Sequence, residues 1–436
     1  MVNEAMWTNW GGTASCRPAE VEHPAGEEDI VAALKRAAQG GERVKVVGSG
    51  HSFTDIACTG GRMLKLDRYA GVLEVDQKKR TVTVEAGISI WDLAEVLARN
   101  GLAFPNLGDI GYQSISGAIP TSTHGTGERL GNLATQVKAM RLVLADGSAV
   151  DLSDRTDGEA FNAALVSLGG LGVISTVTLQ CVPAFNLHAV EGPGRFDEVL
   201  ATFQENAKKN DHYEFYWFPH SDVCLTKANN RTDQPPQPKG KARAWFEDQF
   251  VGNTVFGLVN RLMRARPKSI PRLQRIIGKA ISRSEYSDRS DKVFTSPRLV
   301  RFAEMEYAIP REAAVDAVRE VRRIIEDNRF DVAFPIECRV SAGDDIFLST
   351  AHGRPTAYVA VHQFQGMEYE SYFRAVEAIM RSVGGRPHWG KIHYQDHRSL
   401  REIYPAWGRF AAVRQRFDPQ GRFRNAYLDR VLGEYS

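Results

Sequence analysis

A short strand that ends in a glycine turn, with no helix after it, is the feature that most narrows what this sequence can become. Val44 to Val47 is apolar and β-branched except for Lys45, as a buried strand should be. Gly48-Ser49-Gly50 follows. A turn of that composition lets the backbone approach a bound group, and its consecutive N–H donors can form a nest for a phosphate. A dinucleotide-binding βαβ unit begins the same way but needs a third glycine and a helix. Here the chain continues through His51-Ser52-Phe53 and Asp55-Ile56-Ala57 to a second extended piece, Met63-Leu64-Lys65-Leu66, so the βαβ reading fails. What remains is a phosphate cradle with one imidazole, His51, at its rim. A strand end carrying a surface histidine would have the same local sequence.

Composition sets the frame for that cradle. A chain of 436 residues with 43% hydrophobic and 25% charged residues builds two or three domains with sizeable cores. A net charge of +2 excludes a general nucleic-acid binder. The five cysteines (Cys16, Cys58, Cys181, Cys224, Cys338) are scattered, which indicates reduced thiols in the cytoplasm and neither a disulfide frame nor a zinc site. No secretory signal opens the chain, and no stretch approaches the ~18 apolar residues of a membrane span. A soluble, cytoplasmic protein without a metal is expected.

Along the chain, Pro24 to Gly41 has helical spacing (Ile30, Ala33, Leu34, Ala37), acids at its start and glycines at its end. Gly71 to Gly87 alternates about a Gln77-Lys78-Lys79-Arg80 turn, a hairpin. Ile90 to Asn100 is helical again. This mixture indicates α+β layering. Leu107 to Arg129 fits neither period and is rich in small and hydroxyl residues: either a long surface loop or a segment wrapped round a polar ligand. Gly169-Gly170-Leu171-Gly172-Val173-Ile174 makes a second close-approach turn leading into a strand. The character changes near Pro183, and His212 to Phe218 reads as an aromatic strand in the sheet of a second domain. From Lys239 to Arg283 the chain carries eleven Lys/Arg against two acids, with apolar residues between. That is a solvated helical face, or a basic amphipathic surface for anionic lipid or an acidic electron acceptor.

Three further stretches carry chemistry. Phe334 to Val340 alternates as a strand, which sets Glu337 and Arg339 on one face. The pair can bind neighbouring hydroxyls, and a structural ion pair would look identical. His362 lies in the apolar strand Tyr358 to Phe364, where a satisfied core histidine is the plain alternative. His388-Trp389-Gly390-Lys391 follows a Gly384-Gly385 break. A lysine among aromatics suits acid–base work, although a surface lysine laying its stem on apolar neighbours would read the same.

Together, from Trp7-Thr8-Asn9-Trp10-Gly11-Gly12 through the Gly-His-Ser turn to Pro387-His388-Trp389-Gly390-Lys391, these stretches resemble the vanillyl-alcohol oxidase superfamily in its aldonolactone and alditol oxidoreductase branch. The resemblance implies an α+β fold. A two-subdomain PCMH-type FAD-binding domain would span residues 1–184. An α+β substrate (cap) domain with a large antiparallel sheet would span 185–384, and a C-terminal segment, 385–436, would return to complete the active site. It implies FAD bonded covalently to His51. The cofactor would be contacted by Val47, Gly48, Ser49, Gly50 and Ser52, by Asp109, Ser114, Gly117, Ile119, Thr121 and His124, and by Gly172, Ile174 and His388. It also implies that Glu337 binds the hydroxyl beside the one oxidised, that Arg339 and Lys391 polarise the reacting hydroxyl, and that His362 positions the substrate. The proton acceptor lies between Arg339 and Lys391, with Lys391 preferred because lysine shifts its proton affinity more readily.

The implied activity is oxidation of a secondary hydroxyl of a sugar 1,4-lactone (L-gulono- or D-arabinono- type) by hydride transfer to flavin, giving an ene-diol. An alditol oxidase making hydrogen peroxide from xylitol- or sorbitol-type polyols shares every motif and is the alternative. A flavin reductase of the same fold would have no use for His51 or Lys391, and a non-enzymatic surface protein built on 239–283 would hold no chromophore. Oxygen or a cytochrome-like protein would take the electrons. The small Gly108 leaves oxygen a path, and peripheral membrane contact would run through 239–283.

Overall fold

The computed structural model describes residues 6–238, 256–296 and 299–434. Two sheets in its first half frame the glycine turn. In a three-stranded parallel sheet, Arg62–Lys65 pairs with both Glu20–Glu22 and Val44–Val47. The helix Glu27–Gly40 precedes this last strand, burying Ile30, Ala33, Leu34 and Ala37, and it ends on Gly41 at φ 68°. A five-stranded antiparallel sheet runs in the order Ala149–Ser153, Val137–Val143, Val173–Gln180, Thr81–Glu85, Val72–Asp76, so the expected hairpin forms its edge. One apolar core joins these layers and also takes in Leu400, Phe410, Phe423, Tyr427 and Leu428, so the C-terminal helices pack beside the first half of the chain.

The second half is built on an eight-stranded sheet in the order Ser284–Arg289, Asn186–Arg195, Val223–Thr232, His212–Trp217, Ile336–Ser341, Thr356–Phe364, Phe302–Pro310, Arg386–Pro387, and all its pairs are antiparallel. Helices Phe196–Lys209, Ala314–Asn328 and Glu370–Ser382 cover one face. The two-residue period of a strand then sorts the side chains. Tyr213, Phe215, Trp217, Met305, Tyr307, Ile336, Cys338, Val359 and Val361 enter the core under those helices. Tyr216, Glu304, Glu306, Glu337, Arg339 and His362, which alternate with them, line a cavity on the other face, and Glu214 on the same face lies behind it against Arg339.

The long irregular segment is an interior one. Residues 118–127 are all buried, which removes the surface-loop alternative. Its backbone is tied to the first half by Ser116 N–H to Ala86 O at 2.8 Å and Ile115 N–H to Ile88 O at 2.9 Å. It reaches the second through Gly127 N–H to Val340 O at 2.9 Å and the Thr126 hydroxyl to Tyr213 O at 2.6 Å. Of the basic segment, 239–255 lies outside the described residues, and the rest forms helices Phe256–Ala265 and Ile270–Ala280. Among the described residues no helix is long and apolar enough to cross a membrane.

Candidate active site

Beyond Val47 the backbone turns through Gly48, Ser49 and Gly50 (φ 70°), and a narrow hollow of about 90 Å³ opens against it. A Cβ on Gly48 would lie 2.1 Å from Ser114 Oγ and would force that hydroxyl to turn away. Among the described residues the N–H groups of Ser49, Gly50, His51 and Ser52 donate to no protein acceptor. Four successive unclaimed donors on a glycine turn fit a diphosphate. Val47, Ser114, Gly117, Gly172 and Ile174 line the same hollow. It meets a larger cavity of about 470 Å³ along His51, Ser52, Gln113 and Thr121, which line both. That connected shape fits an extended dinucleotide with a ring system in the wider part. Ile119 departs from the expected set. Its side chain is fully buried in the apolar core and lines neither space.

The rim histidine is held for its task. The Trp10 ring stacks on His51 with centroids 5.5 Å apart. Burial, with the Lys391 ammonium nearby, lowers the His51 proton affinity to about 4, so the imidazole is neutral and keeps a lone pair at neutral pH. The backbone around it is clamped from the N-terminus: Asn9 Nδ2 donates to Ser52 O and Thr13 Oγ1 to Phe53 O, each at 2.9 Å.

The wide cavity holds two charge clusters. In the first, Arg339 Nε donates to Glu214 Oε2 at 2.7 Å, and its Nη2 lies 2.6 Å from Asp109 Oδ1 and 2.5 Å from Glu337 Oε1. The Tyr216 hydroxyl donates to Glu337 at 2.9 Å, and Lys227 Nζ is 3.5 Å from Glu214. Burial opposes the Arg339 charge, but the three carboxylates outweigh it and hold the guanidinium protonated. Glu337 moves the other way. Burial, and then the Asp109 and Glu214 charges, push its carboxyl up to about 7 against the pull of Arg339. The sequence leaves the proton acceptor between Arg339 and Lys391; these electrostatics add Glu337.

In the second cluster the Glu304 carboxylate lies between His362 Nε2, 3.4 Å away, and the Lys391 ammonium, in direct contact. Burial would raise Glu304, yet Lys391 and His362 hold it down at about 2. His362 Nδ1 faces Pro335 O at 2.9 Å; burial lowers its proton affinity, but Glu304 and Glu337 raise it more, and the net shift is upward. Two residues along the strand, Glu306 meets His124 Nε2 at 3.1 Å and is held well below the usual carboxylate range by His124 despite its burial. His388 is lowered to about 3 by burial, and its Nδ1 accepts the Gly390 N–H at 3.1 Å, which places the proton of the neutral ring on Nε2.

Asp109, Thr121, His124, Glu337, Arg339, His362, His388 and Lys391 thus share one cavity. Sequence reasoning missed Trp10, Gln113, Tyr216, Lys227, Glu304 and Glu306, which also line it, and Glu214, which holds Arg339 from behind. The available signal was a carboxylate set among core residues on a strand, as in Tyr213-Glu214-Phe215 and Glu304-Met305-Glu306. Gly108 lines the cavity too, but a Cβ there would lie 2.8 Å from His124 O, so close backbone packing accounts for the glycine.

A dinucleotide cradle opening on a cavity of acids, bases and hydroxyl-binding groups defines an FAD-linked oxidoreductase. The family model for an FAD binding domain matches residues 18–153, and that for D-arabinono-1,4-lactone oxidase matches residues 177–431. The chain belongs to this lactone oxidase family. It is 47% identical to an L-gulono-1,4-lactone dehydrogenase of Mycobacterium tuberculosis over 98% of this chain and 99% of that one. It is 38% identical to the L-gulonolactone oxidase of Bos taurus, covering 97% of both. In fold it is similar to a cholesterol oxidase from B. sterolicum, with a TM-score of 0.83 at 18% identity over 98% of this chain and 96% of that one.

Proposed function

We propose that this protein oxidises a secondary hydroxyl of a sugar 1,4-lactone of the L-gulono- or D-arabinono- type, with FAD attached covalently through His51. FAD supplies the two-electron acceptor. The observation that carries the reading is the convergence of Glu337 and Arg339, from one strand, and Lys391, from a turn some fifty residues later, on one cavity that adjoins the glycine nest. Arg339 and Lys391, both cationic partners of buried carboxylates, stabilise negative charge on the reacting oxygen. Glu337, whose proton affinity lies near neutrality, accepts the hydroxyl proton. Tyr216, Asp109 and Glu214 fix Glu337 and Arg339 in place, and Tyr216 and Asp109, which line the cavity, offer acceptors to neighbouring hydroxyls.

The test is anaerobic addition of L-gulono-1,4-lactone, D-arabinono-1,4-lactone and xylitol to purified protein, followed by the flavin's visible absorption. Bleaching by a lactone in preference to xylitol is expected; bleaching by xylitol alone would replace the lactone reading with the alditol one. Admitting air or a cytochrome to the bleached protein then identifies the acceptor. The described part of the basic segment supports peripheral contact with an anionic lipid surface. Residues 256–283 carry eight exposed cations and no acid, with Leu258, Leu262 and Ile276 exposed among them.

A further inference from the structure

Lys45 is the one charged residue in the strand Val44–Val47, and it is 2% exposed. Strand alternation turns Val44 into the core that the helix Glu27–Gly40 also enters, with Val46 partly buried against it, and turns Lys45 and Val47 to the opposite face. There Lys45 lines the narrow hollow together with Val47, Gly48, Gly169 and Gly172. A Cβ placed on Gly169 (φ 67°) would lie 3.8 Å from Lys45 Nζ, so the ammonium sits beneath that glycine turn. Its hydrogen-bond partner among the described residues is Phe423 O at 3.3 Å. An ammonium has three donors, and enclosing it with one long bond costs several kcal/mol unless a further acceptor arrives.

We propose that Lys45 is a cofactor-binding residue whose ammonium donates to the adenosine half of FAD, to a ring nitrogen, ribose oxygen or phosphate. The assignment rests on the FAD reading. Neither Glu337 nor Lys391 lines this hollow, so it belongs to the end of the cofactor away from the reacting ring. Three charged groups act on the ammonium from the C-terminal helices: Arg414 and Asp418 at the end of Trp407–Phe417, and Asp429 in Ala426–Leu432. Burial, and then Arg414, lower the proton affinity of Lys45 to about 7, while Asp418 and Asp429 oppose them. A bound diphosphate raises it again. Cofactor binding above neutral pH therefore takes up a proton at Lys45, and affinity falls as pH rises through 7.

The experiment uses the full chain with His51→Ala, in which FAD exchanges reversibly, and counts protons by titration calorimetry in two buffers of different ionisation heat. The parent should take up close to one proton at pH 8 and almost none at pH 6. Adding Lys45→Met should abolish the uptake and weaken FAD binding by about tenfold or more, the loss of a charge-assisted hydrogen bond. Adding Lys45→Arg should keep most of the affinity and still take up no proton, because a guanidinium is already charged. A lysine that merely pins the strand to Phe423 predicts no change in proton count. Proton uptake at pH 8 in the arginine variant, or FAD affinity unchanged in the methionine variant, overturns the assignment. Failure of the parent and every variant to bind FAD overturns the cofactor reading, and this assignment with it.

Discussion

Replacing Glu337 with Gln should make the protein more stable and less active at the same time. The native carboxyl titrates near 7, against an ordinary value of 4.5, chiefly because it is buried and then because Asp109 and Glu214 face it. A carboxyl raised in the folded state contributes nothing below pH 4.5, where folded and unfolded chains are both protonated. Between 4.5 and 7 the unfolded chain sheds its proton and the native one keeps it, so the penalty grows and is complete above 7. The gap is worth about 3 kcal/mol. Glutamine, a neutral near-isostere, removes that penalty while Asp109 and Glu214 still neutralise Arg339. The variant should gain up to about 3 kcal/mol at pH 8 and lose most of the gain at pH 5. Its activity should fall by roughly 10²- to 10⁴-fold with loss of the proton acceptor. The wild-type rise of kcat/KM through pH 7 should disappear. Urea unfolding at both pH values and a kcat/KM profile from pH 5 to 9 read the two effects. A variant no more stable than wild type at pH 8, or one that keeps the wild-type profile, refutes the reasoning.

Acid precipitation of wild type should give a yellow pellet, and His51→Ala should leave the colour in the supernatant; a colourless wild-type pellet removes the covalent link. Gly48→Ala should lose FAD because its Cβ would lie 2.1 Å from Ser114 Oγ. Ser114→Ala added to it should restore flavin content, since the remaining Ser114 Cβ would be 3.4 Å away; absorbance per protein reports both. Wild type should sediment with phosphatidylglycerol vesicles but not with phosphatidylcholine vesicles, and Leu258→Glu with Ile276→Glu should abolish this; equal sedimentation with both lipids rejects the anionic-surface reading.

Where a local period fixes the geometry, the chain was readable. Helix Glu27–Gly40, the hairpin about residues 77–80 and the shared face of Glu337 and Arg339 all follow from spacing over a few residues. Glu304 and Glu306 gave only the weak signal of acids among core residues, because a carboxylate pair on a strand normally points to water. Only the pairing of Phe302–Pro310 with Thr356–Phe364, more than fifty residues away, brings Glu304 opposite His362. Glu214 was hidden in the same way inside an aromatic run read only as sheet. Ile119 was misplaced for the converse reason. Position in a ligand-wrapping segment does not say which side chains turn inward to the core, and this one does. The segment 118–127 had no period to read, since contacts to both halves of the molecule, and not a repeat of its own, set its path.

That segment has an engineering consequence. Because Gly127 and Thr126 are bonded to strands of the large sheet while Ile115 and Ser116 are bonded to the hairpin side, it acts as mortar between two bricks. A chimera that exchanges residues 186–387 for those of another family member would have to bring its own version of 115–127, or the transplanted sheet would be seated out of true over the cofactor.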